Sequence, residues 1–338
     1  MARSRGYSSY RGRRSKGKAA LAAVLVLVIL AAVVVILLQK HIVYDETGTP
    51  HLEVPWQEET VQEEETADLD LVIQTPEKTV GEIRAFSMPV GQLTKTGCDS
   101  ALATADPACD AVAVTLKDET GTVYFDAAVA VHDSVDVAAD TGTALAELTS
   151  REELHTIAKI SCFRDSKAAN ADVDGMGLMN VGGFIFYDGA NSQWLDPAKP
   201  AARKYLCDLA VEAAKLGFDE ILLTDVSYPA DGKLEKISYG EVAKNVNLLE
   251  FLKEMKAALE PYGTIVSVEV SAGVIMAGQE ETTGLVLREI ASEADRIYAA
   301  VQPEEEEALF AAVKSASSAT MFVPELAEAK PSGSYLIL

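Results

Sequence analysis

An uninterrupted apolar run near the N-terminus constrains this chain more than any other feature. Residues 19–38 read AALAAVLVLVILAAVVVILL and contain no charged side chain. At 1.5 Å per residue, a helix of about 20 residues crosses a hydrocarbon core of roughly 30 Å. A helix also satisfies its own backbone hydrogen bonds in lipid. The run therefore predicts a transmembrane helix.

The charges around this run predict its orientation. Seven cations and no acids lie in residues 1–18, whereas acids appear soon after Lys40. The positive-inside rule then places this basic tail in the cytoplasm and everything after His41 outside the cell membrane. A cleaved signal peptide is the alternative, but its apolar region would span about 7–15 residues and end in a small-x-small site. The longer run followed by polar residues favours an uncleaved, single-pass anchor.

The next segment, residues 39–78, is predicted to be an acidic flexible linker. Its central stretch VPWQEETVQEEETADLD has no Lys or Arg and no sustained apolar period, so it buries too little surface to fold. Residues 79–338 are long enough for one large domain with a substantial core.

The part of the chain beyond the apolar run is strongly acidic. The whole chain carries a net charge of −23, and the first 40 residues contribute eight cations and no acids, so the remainder is more negative still. Nucleic acids and anionic lipid surfaces require basic patches. We therefore exclude nucleic acid as a partner, while neutral glycans, cations and peptides stay open.

Cysteines and histidines are too few and too scattered to predict a cofactor or a metal site. A Cys98–Cys109 bridge would close one loop outside the membrane, whereas Cys162 and Cys207 fall in apolar patterns typical of buried thiols. No CxxC pair is present, and the four histidines do not form a zinc-binding pattern. We expect no metal and no cofactor.

Short apolar runs alternate with amphipathic segments through residues 79–338. The predicted strands are Glu82–Met88, Ala111–Leu116, Thr156–Phe163, Glu220–Asp225, Thr264–Val270, Arg296–Val301, Thr320–Val323 and Ser334–Leu338. The predicted helices are Thr143–Leu154, Pro200–Leu216, Asn247–Glu260, Gly284–Ala294 and Glu304–Ser315. Eight apolar strands with mostly helical connections predict an α/β fold, a (β/α)8 TIM-type barrel. Helices after the first and seventh strands look short or missing, so the barrel could be degenerate, and a doubly wound open sheet is the alternative.

Acids stand at several of the predicted strand ends, where a barrel builds its active site. They are found in Lys117-Asp118-Glu119, Arg164-Asp165 and Thr224-Asp225, and Glu269 lies in the fifth strand. Paired carboxyl groups are what glycoside hydrolysis requires. Acids at strand ends also cap helices and form turns, which is the structural alternative. Aromatic side chains on which a sugar ring can stack lie in or beside the same loops: Phe184, Tyr187, Trp194 and Tyr228.

Residues 194–229, WLDPAKPAARKYLCDLAVEAAKLGFDEILLTDVSYP, resemble the signature of the putative glycoside hydrolase domain family, bacterial TIM-barrel proteins that are often attached to the membrane. Three further blocks are similar and occur in the same order: AVAVTLKDETGTVYFD, LHTIAKISCFRDSKAA, and the stretch from NLLEFLKEM through VSVEVSAG to ADRIYAAV. Together they span most of residues 80–302. The resemblance implies a (β/α)8 fold, a carbohydrate partner and glycoside hydrolase ancestry.

The chain departs from the family pattern after the fourth strand. The family usually reads Phe-Asp-Tyr-Val-Arg-Phe-Pro there, whereas this chain reads Leu-Thr-Asp-Val-Ser-Tyr-Pro. The expected acid is therefore Thr224, and an acid appears one position later at Asp225. Because neighbouring strand residues point to opposite faces, Asp225 can take over only through a bulge or a register change.

Other strands also depart from the pattern. The usual acid of the second strand is Thr115, although Lys117 and Asp118 are kept, and the usual Asp of the fifth strand is Glu269. A Pro-Met-x-Tyr-Pro segment after the sixth strand is replaced by Ala299-Ala300-Val301. A threonine hydroxyl neither protonates a leaving group nor activates water well. The resemblance therefore implies the fold more directly than it implies turnover.

These observations predict a membrane-anchored, extracellular protein that acts on a cell-wall or environmental glycan. Asp225 is the predicted nucleophile or base and Glu269 the predicted acid. The residues predicted to orient the sugar are Lys117, Asp118, Asp165, Trp194 and Tyr228. The alternatives are a non-catalytic glycan-binding pseudo-enzyme, suggested by Thr115 and Thr224, and an envelope scaffold.

Overall fold

The computed structural model of the chain describes residues 42–44, 50–52 and 80–338. The predicted basic tail, the predicted transmembrane helix and most of the predicted linker lie outside these residues. Within the described part, no helix combines the length and the apolar character needed to cross a membrane. The described residues fall into two units, with residues 42–44 and 50–52 in the first and residues 80–338 in the second. In the first unit, the short strands Ile42–Tyr44 and Pro50–Leu52 pair antiparallel.

The second unit is built on a closed barrel of eight parallel strands. They are β1 (Arg84–Met88), β2 (Ala111–Lys117), β3 (His155–Ser161), β4 (Glu220–Thr224), β5 (Ile265–Glu269), β6 (Arg296–Ala300), β7 (Met321–Leu326) and β8 (Tyr335–Ile337). Each strand pairs with its neighbour in chain order, and β8 pairs with β1 to close the ring. All eight predicted strands are confirmed, and so is the predicted (β/α)8 barrel; the open sheet is excluded.

Helices connect most of these strands. They are α1 (Lys95–Thr104), α2 (Thr141–Thr149), α3 (Ser166–Ala171), α4 (Pro200–Lys215), α5 (Lys244–Leu259), α6 (Ala272–Ala277), α7 (Leu287–Glu293) and α8 (Glu306–Ala316). The five predicted helices correspond to α2, α4, α5, α7 and α8, whereas α1, α3 and α6 were not predicted. Helices after the first and seventh strands were predicted to be short or missing. A ten-residue helix follows β1, whereas no helix connects β7 to β8 within the described chain. A two-stranded hairpin, Gln279–Glu280 with Leu285–Val286, lies between α6 and α7.

The strands separate two hydrophobic cores. The larger one lies between the outer face of the barrel and the helices. The smaller one fills the barrel interior and consists of Ile83, Ala85, Ala111, Ala113, Ile157, Leu222, Tyr298, Val323 and Leu336. Inward and outward side chains alternate along each strand. The strand residues that follow these interior positions by two therefore also face the barrel axis.

Polar side chains fill the interior at the N-terminal ends of the strands. Glu220 is fully buried and accepts hydrogen bonds from Ser267 at 2.5 Å, from Tyr298 at 2.8 Å, and from the Arg296 guanidinium. His155 Nε2 lies 2.8 Å from the same carboxylate. Burial alone would raise the pKa of Glu220, but the contacts with His155, Arg296 and Ser267 together lower it. This network closes the end of the barrel opposite to the strand C-termini.

All four cysteines are free thiols. Cys98, on α1, is buried and directs its sulfur toward the Gln92 carbonyl oxygen at 3.5 Å, so it does not bridge to Cys109. Cys162 and Cys207 are buried, as predicted, and burial raises the pKa of Cys207 to about 12. The second unit is therefore held together without covalent cross-links.

Candidate functional site

Charged side chains gather inside the barrel at the C-terminal ends of the strands. Lys159 on β3, Thr224 on β4, Glu269 on β5 and Glu325 on β7 each stand two residues after an inward-facing residue, so they project toward the barrel axis. Asp225 follows β4 directly. We call these five residues the mouth cluster.

Lys159 connects the acids of the mouth cluster. Its Nζ lies 2.7 Å from Oε2 of Glu269 and 3.8 Å from Oε1 of Glu325. The side chains of Lys159 and Glu269 are 25% and 34% exposed, whereas that of Glu325 is only 3% exposed. One cation therefore contacts two carboxyl groups, of which one is open to solvent and the other is buried.

Burial and neighbouring charges shift the pKa values of Glu325 and Lys159. Burial, reinforced by the negative charge of Glu269, raises the pKa of Glu325 to about 7, although Lys159 opposes the shift. Burial would lower the pKa of Lys159, but Glu269, Glu325 and Asp225 together raise it above its ordinary value. Lys159 is therefore a cation at neutral pH, and Glu325 can carry a proton there.

Asp225 reaches the mouth cluster through an irregular backbone. Its φ of +51° places it in the left-handed region, which Asp tolerates better than most residues. The carboxylate consequently turns back beside the end of β4, where it accepts a hydrogen bond from Ser161 at 2.7 Å and lies 3.4 Å from the Thr224 hydroxyl. The pairing of β4 stays in regular register through Thr224, so the turn at Asp225, and not a register change, directs this carboxylate toward Ser161.

Two residues predicted to bind sugar, Lys117 and Asp165, form a buried ion pair. Their side chains are fully buried and lie 2.9 Å apart. Lys117 Nζ also donates to the Ser161 carbonyl oxygen at 2.6 Å, and Asp165 caps α3 by accepting from the Ala168 amide at 2.7 Å. A β-carbon at Gly121 would lie 1.9 Å from the Asp165 carboxylate, so the loop after β2 packs directly on this pair. These contacts position the loops after β2 and β3.

A third predicted sugar-binding residue, Asp118, organises its own loop. Its carboxylate accepts hydrogen bonds from the amides of Thr120 and Thr122, both at 2.9 Å, and from the Tyr124 hydroxyl at 2.7 Å. Although burial opposes it, this set of donors lowers the pKa of Asp118. Partial burial, together with the same hydrogen bond to Asp118, raises the pKa of Tyr124 to about 12.

The two remaining predicted sugar-binding residues are aromatic side chains that the structure buries. Trp194 is 6% exposed and donates its indole N–H to Asp188 at 2.9 Å. Tyr228 is fully buried, and its hydroxyl accepts a hydrogen bond from Asn247 at 2.9 Å. Among the aromatics of these loops, Phe184 and Tyr187 are the exposed ones, at 73% and 47%. Sugar contact by Trp194 and Tyr228 stays a prediction; their rings pack the loops.

The sequence patterns did not single out Lys159 and Glu325. Lys159 lies inside the third predicted strand, where a lone cation in an apolar run was the available signal. Glu325 lies two residues beyond the predicted end of the seventh strand, because Pro324 interrupts the apolar pattern although β7 continues to Leu326. Within the described residues, no three His, Cys, Asp or Glu side chains are grouped as a metal site.

The sequence matches a known family over most of the barrel. Residues 93–319, well over half of the chain, match the family described as "Putative glycosyl hydrolase domain". The chain belongs to this family. The match of this glycosyl hydrolase-like domain starts within the loop after β1 and stops before β7, so Glu325 lies outside it. No curated protein sequence matches the chain.

Several solved structures are similar to this glycosyl hydrolase-like domain. A hypothetical protein from Ruminiclostridium thermocellum is 23% identical, with 55% of this chain and 96% of that chain covered and a TM-score of 0.43. The glycoside hydrolase domain of PgaB (BpsB) from Bordetella bronchiseptica is 18% identical, with coverages of 73% and 84% and a TM-score of 0.49. That of a PelA variant from Pseudomonas aeruginosa is 13% identical, with coverages of 72% and 84% and a TM-score of 0.40. Membership of the family rests on the sequence match.

Proposed function

We propose that this protein is a membrane-anchored, extracytoplasmic glycoside hydrolase that acts on a cell-wall or environmental glycan. The observation that carries the proposal is the mouth cluster, in which Asp225, Glu269 and Glu325 surround one barrel mouth together with Lys159. Hydrolysis of a glycosidic bond needs one carboxyl group to protonate the leaving oxygen and another to attack or to activate water. The family to which the chain belongs supports the same chemistry.

The strongest sequence-based argument against catalytic activity is the loss of the family's usual acid at position 224, and the position of Asp225 weakens it. Thr224 replaces the acid that the family usually carries, yet the left-handed backbone at Asp225 brings a carboxylate within 3.4 Å of the Thr224 hydroxyl. The mouth therefore keeps an acid beside the end of β4. Glu269, the acid of β5, extends toward Lys159 in the same mouth.

The N-terminal sequence supports the proposed cellular location. Residues 19–38 are apolar and uncharged, and the basic tail before them satisfies the positive-inside rule. This arrangement leaves the barrel outside the cytoplasmic membrane, where cell-wall and environmental glycans are found.

A non-catalytic glycan-binding protein is the second candidate. The threonines at positions 115 and 224, where the family usually carries acids, favour it. In that case the full chain would retain a glycan without cleaving it, and Asp225→Asn would leave the retention unchanged.

The test is reducing-sugar release by the full chain, purified in detergent, from a panel of polysaccharides and peptidoglycan. We expect release that Asp225→Asn and Glu269→Gln each abolish. The matched control is Glu304→Gln, which neutralises an exposed acid in the loop after β6 and should keep wild-type activity. Glycan retention in a pull-down with no release by the folded wild type would support the binding protein instead.

A further inference from the structure

The mouth cluster holds three carboxyl groups, one more than hydrolysis uses. Glu325 differs from the other two because it is almost completely buried although it lies one residue before the end of β7, at the open side of the barrel. Its Oε1, like Oε2 of Glu269, has no hydrogen-bond partner among the described residues, and Lys159 Nζ is 3.8 Å away. A buried polar atom without a partner is costly unless something else contacts it. Glu325 is therefore a candidate for a role beyond packing.

Glu325 lies close to Glu269. Both contact Lys159 Nζ, at 3.8 and 2.7 Å, so Oε1 of Glu325 and Oε2 of Glu269 are no farther apart than the sum of these distances. The catalytic carboxyl groups of retaining glycosidases are separated by roughly 5–5.5 Å, and those of inverting enzymes by roughly 6.5–9.5 Å to leave room for a water molecule. The upper limit set by Lys159 is compatible with the retaining separation and excludes most of the inverting range for these two oxygen atoms.

The two carboxyl groups differ in what surrounds them. Glu269 is partly exposed and forms the shorter contact with the lysine ammonium, which compensates its negative charge. Glu325 is buried, has the longer contact and faces the charge of Glu269, and these surroundings raise the pKa of Glu325 to about 7. Two carboxyl groups in unlike environments suit unlike roles, one attacking and the other donating a proton.

We propose that Glu325 is the proton donor of this site and Glu269 its nucleophile, with Lys159 as the positioning residue between them. This inference rests on the proposed hydrolase function and names the residues that perform it. It transfers the acid role, which the sequence patterns placed on Glu269, to a residue outside the matched family segment. Asp225 then binds substrate instead of attacking it.

The proposed reaction is a double displacement. A carboxylate oxygen of Glu269 attacks the anomeric carbon, the bond from that carbon to the glycosidic oxygen breaks, and the oxygen takes the proton of Glu325. Water then attacks the anomeric carbon of the glycosyl-enzyme, passing a proton to Glu325, and the ester bond to Glu269 breaks. Atoms and charge balance, and the sugar leaves with its anomeric configuration retained.

The experiment compares leaving groups in the detergent-purified full chain. The probes are phenyl and dinitrophenyl glycosides of glucose, galactose and N-acetylglucosamine. Phenol needs a proton to leave, whereas dinitrophenol does not. We therefore expect Glu325→Gln to lower kcat/KM by about 10²–10⁴-fold on the phenyl glycoside and by less than about tenfold on the dinitrophenyl glycoside. Glu269→Ala should lose both activities, and azide should restore dinitrophenol release with formation of the glycosyl azide.

The outcomes separate this inference from the proposed function. A wild type that cleaves the probes or a polysaccharide while Glu325→Gln is unaffected, or slowed equally on both leaving groups, overturns the inference and leaves the hydrolase standing. A folded wild type that cleaves nothing overturns both. Glu304→Gln is the matched control, and circular dichroism verifies that each variant is folded.

A second variant distinguishes the loss of the carboxyl group from a folding defect. Glu325→Asp keeps the carboxyl group one methylene shorter, so it should retain more activity on the phenyl glycoside than Glu325→Gln does. Wild-type kcat should fall above about pH 7, where Glu325 loses its proton, and the glutamine variant should lack this limb. A wild-type profile without the limb would overturn the assignment of Glu325.

Discussion

Lys159 lies between two carboxyl groups, and these two groups differ in their exposure to solvent and in their distance from the ammonium. Glu269 lies 2.7 Å from the ammonium and is partly open to water, whereas Glu325 lies 3.8 Å away and is buried. A buried carboxyl group loses its hydration, and a neighbouring negative charge opposes its ionisation further. The position of Glu325 therefore has a consequence for folding as well as for chemistry.

We expect Glu325 to lower the stability of the domain as the pH rises. Its folded pKa of about 7 exceeds the ordinary 4.5, so the folded state binds this proton more tightly than the unfolded chain does. Stability is thereby lost between pH 4.5 and pH 7, by up to about 3 kcal/mol. Glu325→Gln should melt at the wild-type temperature at pH 5 and several degrees higher at pH 8. Thermal unfolding at both pH values checks this, and an equal difference at both would contradict it.

Sequence patterns located part of the mouth cluster and missed the rest for identifiable reasons. Glu269 and Asp225 were predicted because strand ends form the mouth of a barrel. Lys159 was not predicted because it lies within a strand, and the sequence pattern does not show that its side chain faces the barrel interior. Glu325 was not predicted because Pro324 made the predicted strand end too early. The exposure of each acid depends on side chains from other strands, which periodicity does not reveal.

The buried pair of Lys117 and Asp165 joins two connections of the barrel. Lys117 ends β2 and Asp165 begins α3, so their contact fixes the loop after β2 against the loop after β3. Lys117 also donates to the carbonyl oxygen of Ser161, whose hydroxyl holds Asp225. The pair therefore supports the mouth cluster through Ser161.

Breaking this pair should cost stability. Lys117→Met leaves the Asp165 carboxylate buried without its cation, which typically costs about 3–5 kcal/mol. The double variant with Asp165→Asn removes both charges and keeps a capping side chain for α3, so it should recover most of that loss. Urea unfolding of the single and double variants measures the difference. A Lys117→Met variant as stable as the wild type, yet inactive, would instead support the predicted substrate-binding role of Lys117.

At the level of elements, apolar periodicity predicted every barrel strand and the helices with a long buried face. The helices it missed, α3 and α6, have six residues each, and α1 is rich in Thr, Ser and Gly. Asp165 and Ser271 start the two short ones by capping them. Helices of this length depend on caps and tertiary packing more than on an amphipathic pattern.

Across the whole barrel, the two ends of the interior differ in charge and burial. The mouth cluster is partly exposed, whereas Glu220, Arg296 and Tyr298 at the opposite end are fully enclosed and paired. Together with Ser267, these side chains come from β4, β5 and β6, so their contacts hold these strands of the closed ring together.

The pH dependence of this end should be opposite to that of Glu325. Because the folded pKa of Glu220 is lowered, its contribution is complete above the ordinary pKa of 4.5 and is lost as the pH falls through the lower folded value. Glu220→Gln should cost about 3–5 kcal/mol at pH 7 by leaving Arg296 unpaired, and the deficit should shrink in acid. Urea unfolding at pH 7 and at pH 3 tests this, with Glu304→Gln as control; a deficit that does not change would contradict it.

The pairing of β8 with β1 has a consequence for biosynthesis. The Ile83 amide donates to Ser334 Oγ at 3.2 Å across 251 positions of the chain, and Tyr335–Ile337 pair with the strand that begins at Arg84. A ribosome releases the chain from its N-terminal side, so seven strands emerge before the eighth exists. Until then the edge of β1 is an unpaired template for wrong partners. Closure of the ring must wait for residues 335–337, and the nascent protein depends on protection of that edge for most of its synthesis.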